Sequence, residues 1–430
     1  MTAGYETPTR LRFALSVDPP VPARVKDSRG ECCPFIPMEA IGEGGGLDAS
    51  RRRRVGDLLS GYTYFEDGDI VLAKVTPCFE NRKVALVAGL EGGFGFGTTE
   101  VFTIRPRPAA ERRYLFYLLL SHDFRADAVS SMTGAGGLRR VPEECVLNHK
   151  TRLPTLPDQL AIADFLDRET AEIDAFIADQ ERLIELLLER RVAEASHAVT
   201  GGEDASIILH GSSASTSGGV PKRWPVVSAR RAITYLTSGS RGWASFLSDG
   251  GPLFVQSGNL GRSLNVDLSR QERVALPDDA EGLRTRILPG DVLVCITGAL
   301  TGNVALVDDR WSEEAYVNQH VALVRVSRDV ADPQYLALSL WARPGQEQLK
   351  MSEYGGTKQG LGLSEIKEVR IALPPLDEQR SIAVRLTELI ADIDTTVADA
   401  QRAIDLSKER RAALISAAVT GQLDVTNVRC

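Results

Sequence analysis

Leu153-Pro-Thr-Leu-Pro-Asp-Gln159 and Leu373-Pro-Pro-Leu-Asp-Glu-Gln379 open two copies of one stretch of sequence. At a shift of about 220 positions, without a gap, roughly half of some fifty residues are identical, which establishes an internal repeat. The matches include Gln159/Gln379, Ile162/Ile382, Leu166/Leu386 and Ile173-Asp174/Ile393-Asp394. They also include the Glu-Arg-Arg runs at Glu189 and Glu409 and the Val-Thr-Gly runs at Val199 and Val419.

Each copy reads as one long helix. Leu166, Ile173, Ile177, Ile184 and Leu187 recur at spacings near three and four, as do Leu386, Ile390, Ile393, Val397, Ala400 and Ile404. Such a heptad-like stripe packs against another helix. Pro157-Asp158 and Asp377-Glu378 suit a helix start, where proline loses no hydrogen bond and acids oppose the dipole. Gly201 and Gly421 suit the stop. About forty residues at 1.5 Å each give a rod of roughly 60 Å. Two ordinary surface helices seldom run so long or keep register through both end signals.

The chain has 430 residues, 43% of them hydrophobic, enough for two to four globular units. No apolar run approaches a bilayer span and the N-terminus lacks an apolar leader, so a cytoplasmic location is expected. Six cysteines lack Cys-x-x-Cys spacing and five histidines are scattered, which argues against a zinc site or a disulfide framework. No cofactor and no metal are expected. The net charge of −8 is concentrated in the rods, with about −7 in residues 158–200 and about −2 in residues 377–411. The remainder is near neutral, so a nucleic-acid-reading role needs a partner to supply phosphate-neutralising charge.

Outside the rods the chain reads α/β with short strands. Asp67-Gly68-Asp69 precedes Ile70 to Val75, followed by Val84 to Val87, Val101 to Arg105 and an apolar helix from Tyr114 to Leu120. A Gly-rich basic loop, Gly134 to Arg140, leads to the first rod. Residues 221–372 repeat the order: Pro289-Gly290-Asp291, a strand from Val292 to Ile296, another from Val321 to Arg325, Tyr335-Leu336, and a loop from Tyr354 to Gly360. The expected division is a lobe at 1–152, a rod at 153–200, a flexible Ser/Gly linker at 201–220, a lobe at 221–372, a rod at 373–424 and a tail at 425–430. The expected fold class is α+β: two α/β lobes separated by two long antiparallel coiled-coil helices, with a pseudo-two-fold internal repeat. Antiparallel rods would offer similar surfaces to two identical partners while the dissimilar lobes touch different ligands.

These residues resemble the specificity subunit of type I restriction–modification systems over nearly the whole chain. Leu373 to Gln379 and Val419-Thr-Gly-Gln-Leu423 look like the borders of that family's conserved helix. Gly61 to Asp69, Ala73 to Glu80 and Gly97-Thr-Thr-Glu100 resemble its first-lobe signature; Val255 to Asn259, Gly290 to Leu293 and Val317 to Val321 resemble the second. The second lobe opens with Val220-Pro-Lys-Arg-Trp224, whereas Thr9-Arg-Leu-Arg-Phe13 departs from that pattern. The resemblance implies two target-recognition domains, each reading half of a split asymmetric site in double-stranded DNA, and helices that fix the spacer. It also implies two methyltransferase subunits docked on those helices and two restriction/translocase subunits in the full complex.

Reading bases needs Arg, Lys, Asn and Gln side chains at loop tips, which match the donor and acceptor pairs of the major groove. Candidates in the first lobe are Lys74, Thr76, Arg82, Lys83, Arg139 and Arg140. In the second they are Asn259, Arg262, Thr297, Asn318, Gln319, Lys358 and Gln359. Each competes with a solvated charge or satisfied turn residue, and His320 reads as a packed polar group. Arg51 to Arg54 read best as decoration of a mobile loop, ahead of a phosphate grip or a methyltransferase contact.

An enzyme acting alone finds little support. The chain lacks an Asn/Asp-Pro-Pro-aromatic element for an extruded adenine and a Gly-x4-Gly-Lys-Ser/Thr phosphate loop. Glu365-Ile-Lys367 matches half of a nuclease site, but Pro277-Asp278 lies far upstream. A coiled-coil scaffold without DNA explains the rods but not two lobes of one plan with different loops.

Overall fold

The computed structural model describes residues 8–135, 137–201, 224–239, 241–261, 263–276, 282–353 and 360–425. The expected linker beyond Gly201 and the tail beyond Val425 lie outside these residues.

Each copy of the repeat forms one 44-residue helix, Leu156–Val199 and Leu376–Val419. Both run into glycines in the left-handed region, Gly201 at φ 72° and Gly421 at φ 75°, where a side chain would be strained. Packing divides the chain into two compact units, Met1–Glu181 with Gln401–Cys430, and Arg182–Ala400. The units therefore share both helices, whereas the boundaries read from the sequence keep each helix whole.

In the first unit, strands Leu15–Val17, Val101–Pro106, Ile70–Ala73 and Val84–Leu86 form an antiparallel sheet in that order. Its apolar face packs on the helix Arg112–Leu120, and the core continues into Ile162 and Leu166 of the first rod and Ile415, Ala418 and Val419 of the second. Val425, assigned above to a tail, is part of this core. A second sheet orders Arg52–Arg54, Cys32–Ile36, Phe94–Gly97 and Thr63–Glu66, with its central pair parallel. The short pair Thr9–Arg10 and Lys150–Thr151 closes the lobe.

The second unit repeats the plan. Strands Ile233–Ser238, Val321–Val326, Val292–Cys295 and Val304–Leu306 form the same antiparallel order. Arg273–Val274, Leu247–Val255 and Ala315–Val317 form the companion sheet, again with a parallel pair. Val226–Ser228 and Arg370–Ala372 close this lobe as Thr9–Arg10 and Lys150–Thr151 close the other, so the departure at Thr9 to Phe13 leaves the closure intact. The core reaches Ala195, Ala198 and Val199 of the first rod and Ile382, Ala383 and Leu386 of the second. The fold is thus α+β, with two α/β lobes of one plan and two long helices whose segments pack antiparallel within each unit.

Repeated polar contacts join lobe and rod. Gln159, 1% exposed, donates to Pro154 O at 2.9 Å and accepts from Glu111 N at 2.8 Å. Gln379, also 1% exposed, donates to Pro374 O at 2.8 Å and accepts from Asp332 N at 3.0 Å. Tyr114 Oη donates to Val419 O in one unit, and Tyr335 Oη to Val199 O and Ala372 O in the other. Of the expected helix-packing residues, Leu166, Ile173, Leu386, Ile393 and Ile404 are buried, while Ile177, Ile184, Leu187, Ile390 and Val397 are half-buried.

Two expectations are corrected. Residues 134–140 are not a loop but a hairpin, Thr133–Ala135 paired with Leu138–Arg140. Gly134, at φ 144°, is required there, because a Cβ would stand 2.3 Å from Leu138 O. Arg52–Arg54 are likewise a strand rather than part of a mobile loop, fixed by pairing with Cys32, Cys33 and Pro34.

Candidate nucleic-acid interface

Each lobe begins its central strand with a buried aspartate after a glycine of positive φ, Gly68-Asp69 and Gly290-Asp291. Burying a carboxylate demands partners. Arg105 supplies two bonds to Asp69, at 2.7 and 2.6 Å, and the backbone N of Glu66 a third. Arg325 supplies two to Asp291, at 2.9 and 2.8 Å, and the N of Leu288 a third. These clamps fix where the strand emerges and hence where its C-terminal loop stands.

In the first lobe that loop is tied to the basic hairpin. Thr76 N donates to Arg139 O at 3.0 Å, Arg139 N donates to Thr76 Oγ1 at 2.9 Å, and Thr76 Oγ1 donates to Gly137 O at 2.9 Å. Lys74 O accepts from Val141 N, and Lys74 N donates to Glu100 O, so three segments share one edge. Arg139 and Arg140 project from it, with side chains 47% and 49% exposed, and pair with Glu80 at 3.2 Å and Glu100 at 2.8 Å. Exposed pairs of this kind contribute about 0–1 kcal/mol, so a phosphate or base can displace either carboxylate. Arg82 is exposed and left-handed at φ 57°. Lys83 donates to Met38 O at 3.0 Å, and the Lys74 ammonium stands 4.7 Å from the Phe102 ring centre.

Thr76 is buried, so its hydroxyl shapes the hairpin rather than facing solvent. Arg125 does similar work from behind. Its guanidinium stacks over Phe79 at 4.6 Å and donates to Phe79 O and Glu80 O. Burial, aided by the charge of Arg82, lowers Arg125 to about 10. Sequence reasoning passed over Arg125, Glu80 and Glu100 as site residues; at the repeat-related position of Arg125, Gln346 donates to Gly302 O at 2.9 Å.

The second lobe builds the same edge with different side chains. Thr297 bridges Gly360 as Val75 bridges Arg140. Ile296 N donates to His320 O and Leu361 N to Ile296 O. His320 Nδ1 bonds Thr297 Oγ1 at 2.5 Å, and its Nε2 lies 3.1 Å from Gln319 Nε2. Asn318 is buried and accepts from His320 N at 3.0 Å. Asn259 is buried as well: its amide donates to Asp267 O and Arg270 O and accepts from Gln256 N. That amide therefore braces a loop from inside. Gln319 and Thr297 are half-buried at the surface, while Arg262, Lys358 and Gln359 lie outside the described residues.

Glu365 lies in the short helix Leu363–Glu368 and accepts from Ser364 Oγ at 2.9 Å. Among the described residues no three His, Cys, Asp or Glu side chains gather to hold a metal, and no helix is long and apolar enough to cross a membrane.

A family model described as the type I restriction modification DNA specificity domain matches residues 276–401. The chain is 34% identical over 200 residues to the type I restriction enzyme EcoAI specificity subunit of Escherichia coli, covering 43% of this chain and 32% of that protein. It is 38% identical over 130 residues to the EcoEI specificity subunit of the same species, covering 30% and 22%. The chain thus matches at most about a third of the length of these two relatives. A chain from the solved structure titled "Structural basis underlying complex assembly and conformational transition of the type I R-M system" aligns with a TM-score of 0.69 at 19% identity, over 97% of this chain and 98% of that one. This last likeness is one of fold.

Proposed function

We propose that the chain is a specificity subunit of a type I restriction–modification system and selects the DNA sequence on which such a complex acts. Each lobe reads one half of a bipartite asymmetric site, and the paired helices set the length of the unread spacer. The chain contributes recognition and no chemistry of its own. Two methyltransferase subunits dock on the helices, and two restriction/translocase subunits complete the assembly. Exposed apolar side chains support the docking: Phe176 in the first unit, and Leu183 and Leu186 in the second, stand 38–46% exposed.

One observation carries the reading. The two lobes share a sheet, a clamp and a bridged edge, yet the side chains on that edge differ: Arg139, Arg140 and Glu100 in one, Thr297, Gln319 and His320 in the other. One frame with two unlike polar surfaces suits two unlike half-sites. Arg82, Arg139 and Arg140 are the exposed first-lobe contacts, with Lys74 and Lys83 beside them. Gln319 and Thr297 are the second-lobe contacts, and Arg262, Lys358 and Gln359 are assigned to the same half-site by their side-chain chemistry. Thr76, Asn259 and Asn318 hold these segments in shape.

Methylation mapping of the whole genome, with the gene present and deleted, tests this directly. Deletion is expected to erase one split asymmetric motif; an unchanged map would defeat the reading. Arg139→Ala should relax the bases read in one half of that motif and leave the other half unaltered.

A further inference from the structure

The strand Arg52–Arg54, with Arg51 before it, is absorbed by none of the above. It is an edge strand, paired on one side only. Alternation along a strand places Arg52 and Arg54 on one face and Arg53 on the other. Arg53 is held between Phe35 and Tyr62, at 5.0 and 5.1 Å from their ring centres, and donates to Tyr62 Oη at 2.9 Å. Arg51 pairs with Glu39 at 2.8 Å and Arg52 with Glu91, but those glutamate side chains are 65% and 75% exposed. Arg54 is exposed.

Charged residues do protect sheet edges from unwanted pairing. That role does not account for four consecutive arginines. The corresponding edge of the second lobe is Arg273–Val274, in which Val274 is buried and a single arginine, Arg273, bonds Glu313 and Gly251 O, as Arg52 bonds Glu91 and Cys32 O. The fold therefore does not require the basic run. The run is also continuous with the candidate interface. Glu39 is held below its usual range, chiefly by its own backbone amide, with the charges of Arg51 and Lys83 adding to the effect. Gly44 N donates to Arg82 O at 3.0 Å. Residues 38–48 thus link the start of the arginine strand to the loop that carries Arg82 and Lys83.

We propose that Arg51, Arg52 and Arg54 grip the phosphate backbone of duplex DNA, as a sequence-independent anchor on this edge of the first lobe without a counterpart on the described edge strand Arg273–Val274 of the second. This rests on the reading of the chain as a DNA-recognition subunit. The planar guanidinium suits phosphate oxygens, and weakly held exposed glutamates yield to them. An anchor in one lobe means that the two half-sites contribute unequally to affinity while both specify sequence.

The test is the salt dependence of binding by the full chain, assembled with its methyltransferase subunits, to a random-sequence duplex of about 40 base pairs, between about 50 and 200 mM NaCl. Each lost phosphate contact lowers the slope of log affinity against log salt by about 0.9, so Arg51→Ala/Arg52→Ala/Arg54→Ala should be shallower by roughly 2 to 3. The triple Arg→Lys variant should keep the wild-type slope. Arg54→Glu alone, at an open site that does not threaten folding, should weaken random and modified-site duplexes equally. A wild-type slope in the alanine and glutamate variants overturns the anchor while leaving the recognition reading standing. A wild-type chain that, with its methyltransferase subunits, shows no salt-dependent affinity for duplex removes both.

Discussion

Arg191 donates to Asp394 at 2.5 Å, and Arg411 donates to Asp174 at 2.9 and 3.1 Å: one contact of the repeat, made once in each unit with the helices exchanging roles. The identities Asp174/Asp394 and Glu-Arg-Arg at Glu189 and Glu409 are therefore two halves of one interaction. Within each unit the pairing is antiparallel. In the first, Leu166 joins the core of Ile415 to Val419 while Asp174 meets Arg411. In the second, Arg191 meets Asp394 while Ala195 to Val199 join Ile382 to Leu386.

The two pairs are not equal in environment. The Arg191 side chain is 8% exposed and lies 5.4 Å from the Trp341 ring centre, whereas Arg411 is 15% exposed. Arg191→Ala is expected to cost about 2 kcal/mol and Arg411→Ala about 1, because the more buried guanidinium loses ring packing along with its ion pair. Urea unfolding read by tryptophan fluorescence reports Arg191→Ala, since Trp224, Trp243, Trp311 and Trp341 all belong to the second unit, and amide exchange over Arg112–Leu120 reports Arg411→Ala in the first. Exchanging charges with Arg191→Asp/Asp394→Arg should recover part of the loss. Equal losses at the two arginines would refute the ranking.

The bracket glutamines argue for a second test. Gln159→Leu strands Glu111 N and Pro154 O, and Gln379→Leu strands Asp332 N and Pro374 O. Unsatisfied buried amides and carbonyls cost about 1–3 kcal/mol each, so each variant, with two such groups, should lose roughly 2–6 kcal/mol. The loss should stay within its unit. Gln379→Leu should lower the tryptophan-detected midpoint, and Gln159→Leu should instead lower an amide-exchange midpoint measured over Arg112–Leu120. A common shift of both probes in both variants would count against it.

Much of this was legible in sequence, for identifiable reasons. The rods carry a periodic stripe and glycine stops, and the central strands are short apolar runs, so local chemistry and final burial agree. The edges were less legible. Arg52–Arg54 form a strand through tertiary pairing with Cys32 to Pro34, against every local cue. Thr133 to Arg140 lack the alternation of a hairpin because both strands are exposed. Asn259 and Thr76 have side chains suited to reading bases, and only burial reveals that they face inward.

The junction between lobe and rod differs between the units. Arg113 is shared by Asp167 at 2.6 Å, Asp164 at 2.8 Å and Glu111 at 3.2 Å. Burial works against its charge, but these bonds together raise its pKa. The repeat-related Gln334 makes a neutral bond to Thr387. Since the screening length falls from about 10 Å at 0.1 M salt to about 3 Å at 1 M, added NaCl should weaken the first junction and spare the second. Arg113→Gln should remove the salt response at a loss of about 1 kcal/mol. Protease sensitivity near Asp164, compared at the two salt levels, is the readout; the same response around Thr387 would defeat the contrast.

Thr76 offers the sharpest separation of shape from contact. Its hydroxyl accepts from Arg139 N and donates to Gly137 O, so it holds the hairpin that presents Arg139 and Arg140 without reaching solvent. Thr76→Val keeps the side-chain volume and removes both bonds, worth about 1–3 kcal/mol, leaving the hairpin held by the backbone bonds of Thr76 N and Val141 N. The arginines would remain but lose their fixed position. Affinity for the modified site is therefore expected to fall roughly tenfold, about 1.4 kcal/mol, with discrimination lost in the half-site assigned to the first lobe. Thr297→Val should act on the other half-site, since Thr297 stands at the matching bridge and holds His320. Binding of the two variants to duplexes altered in one half-site at a time provides the measurement. If both variants weaken both halves alike, the hydroxyls contribute only general stability and the assignment of one lobe to one half-site fails.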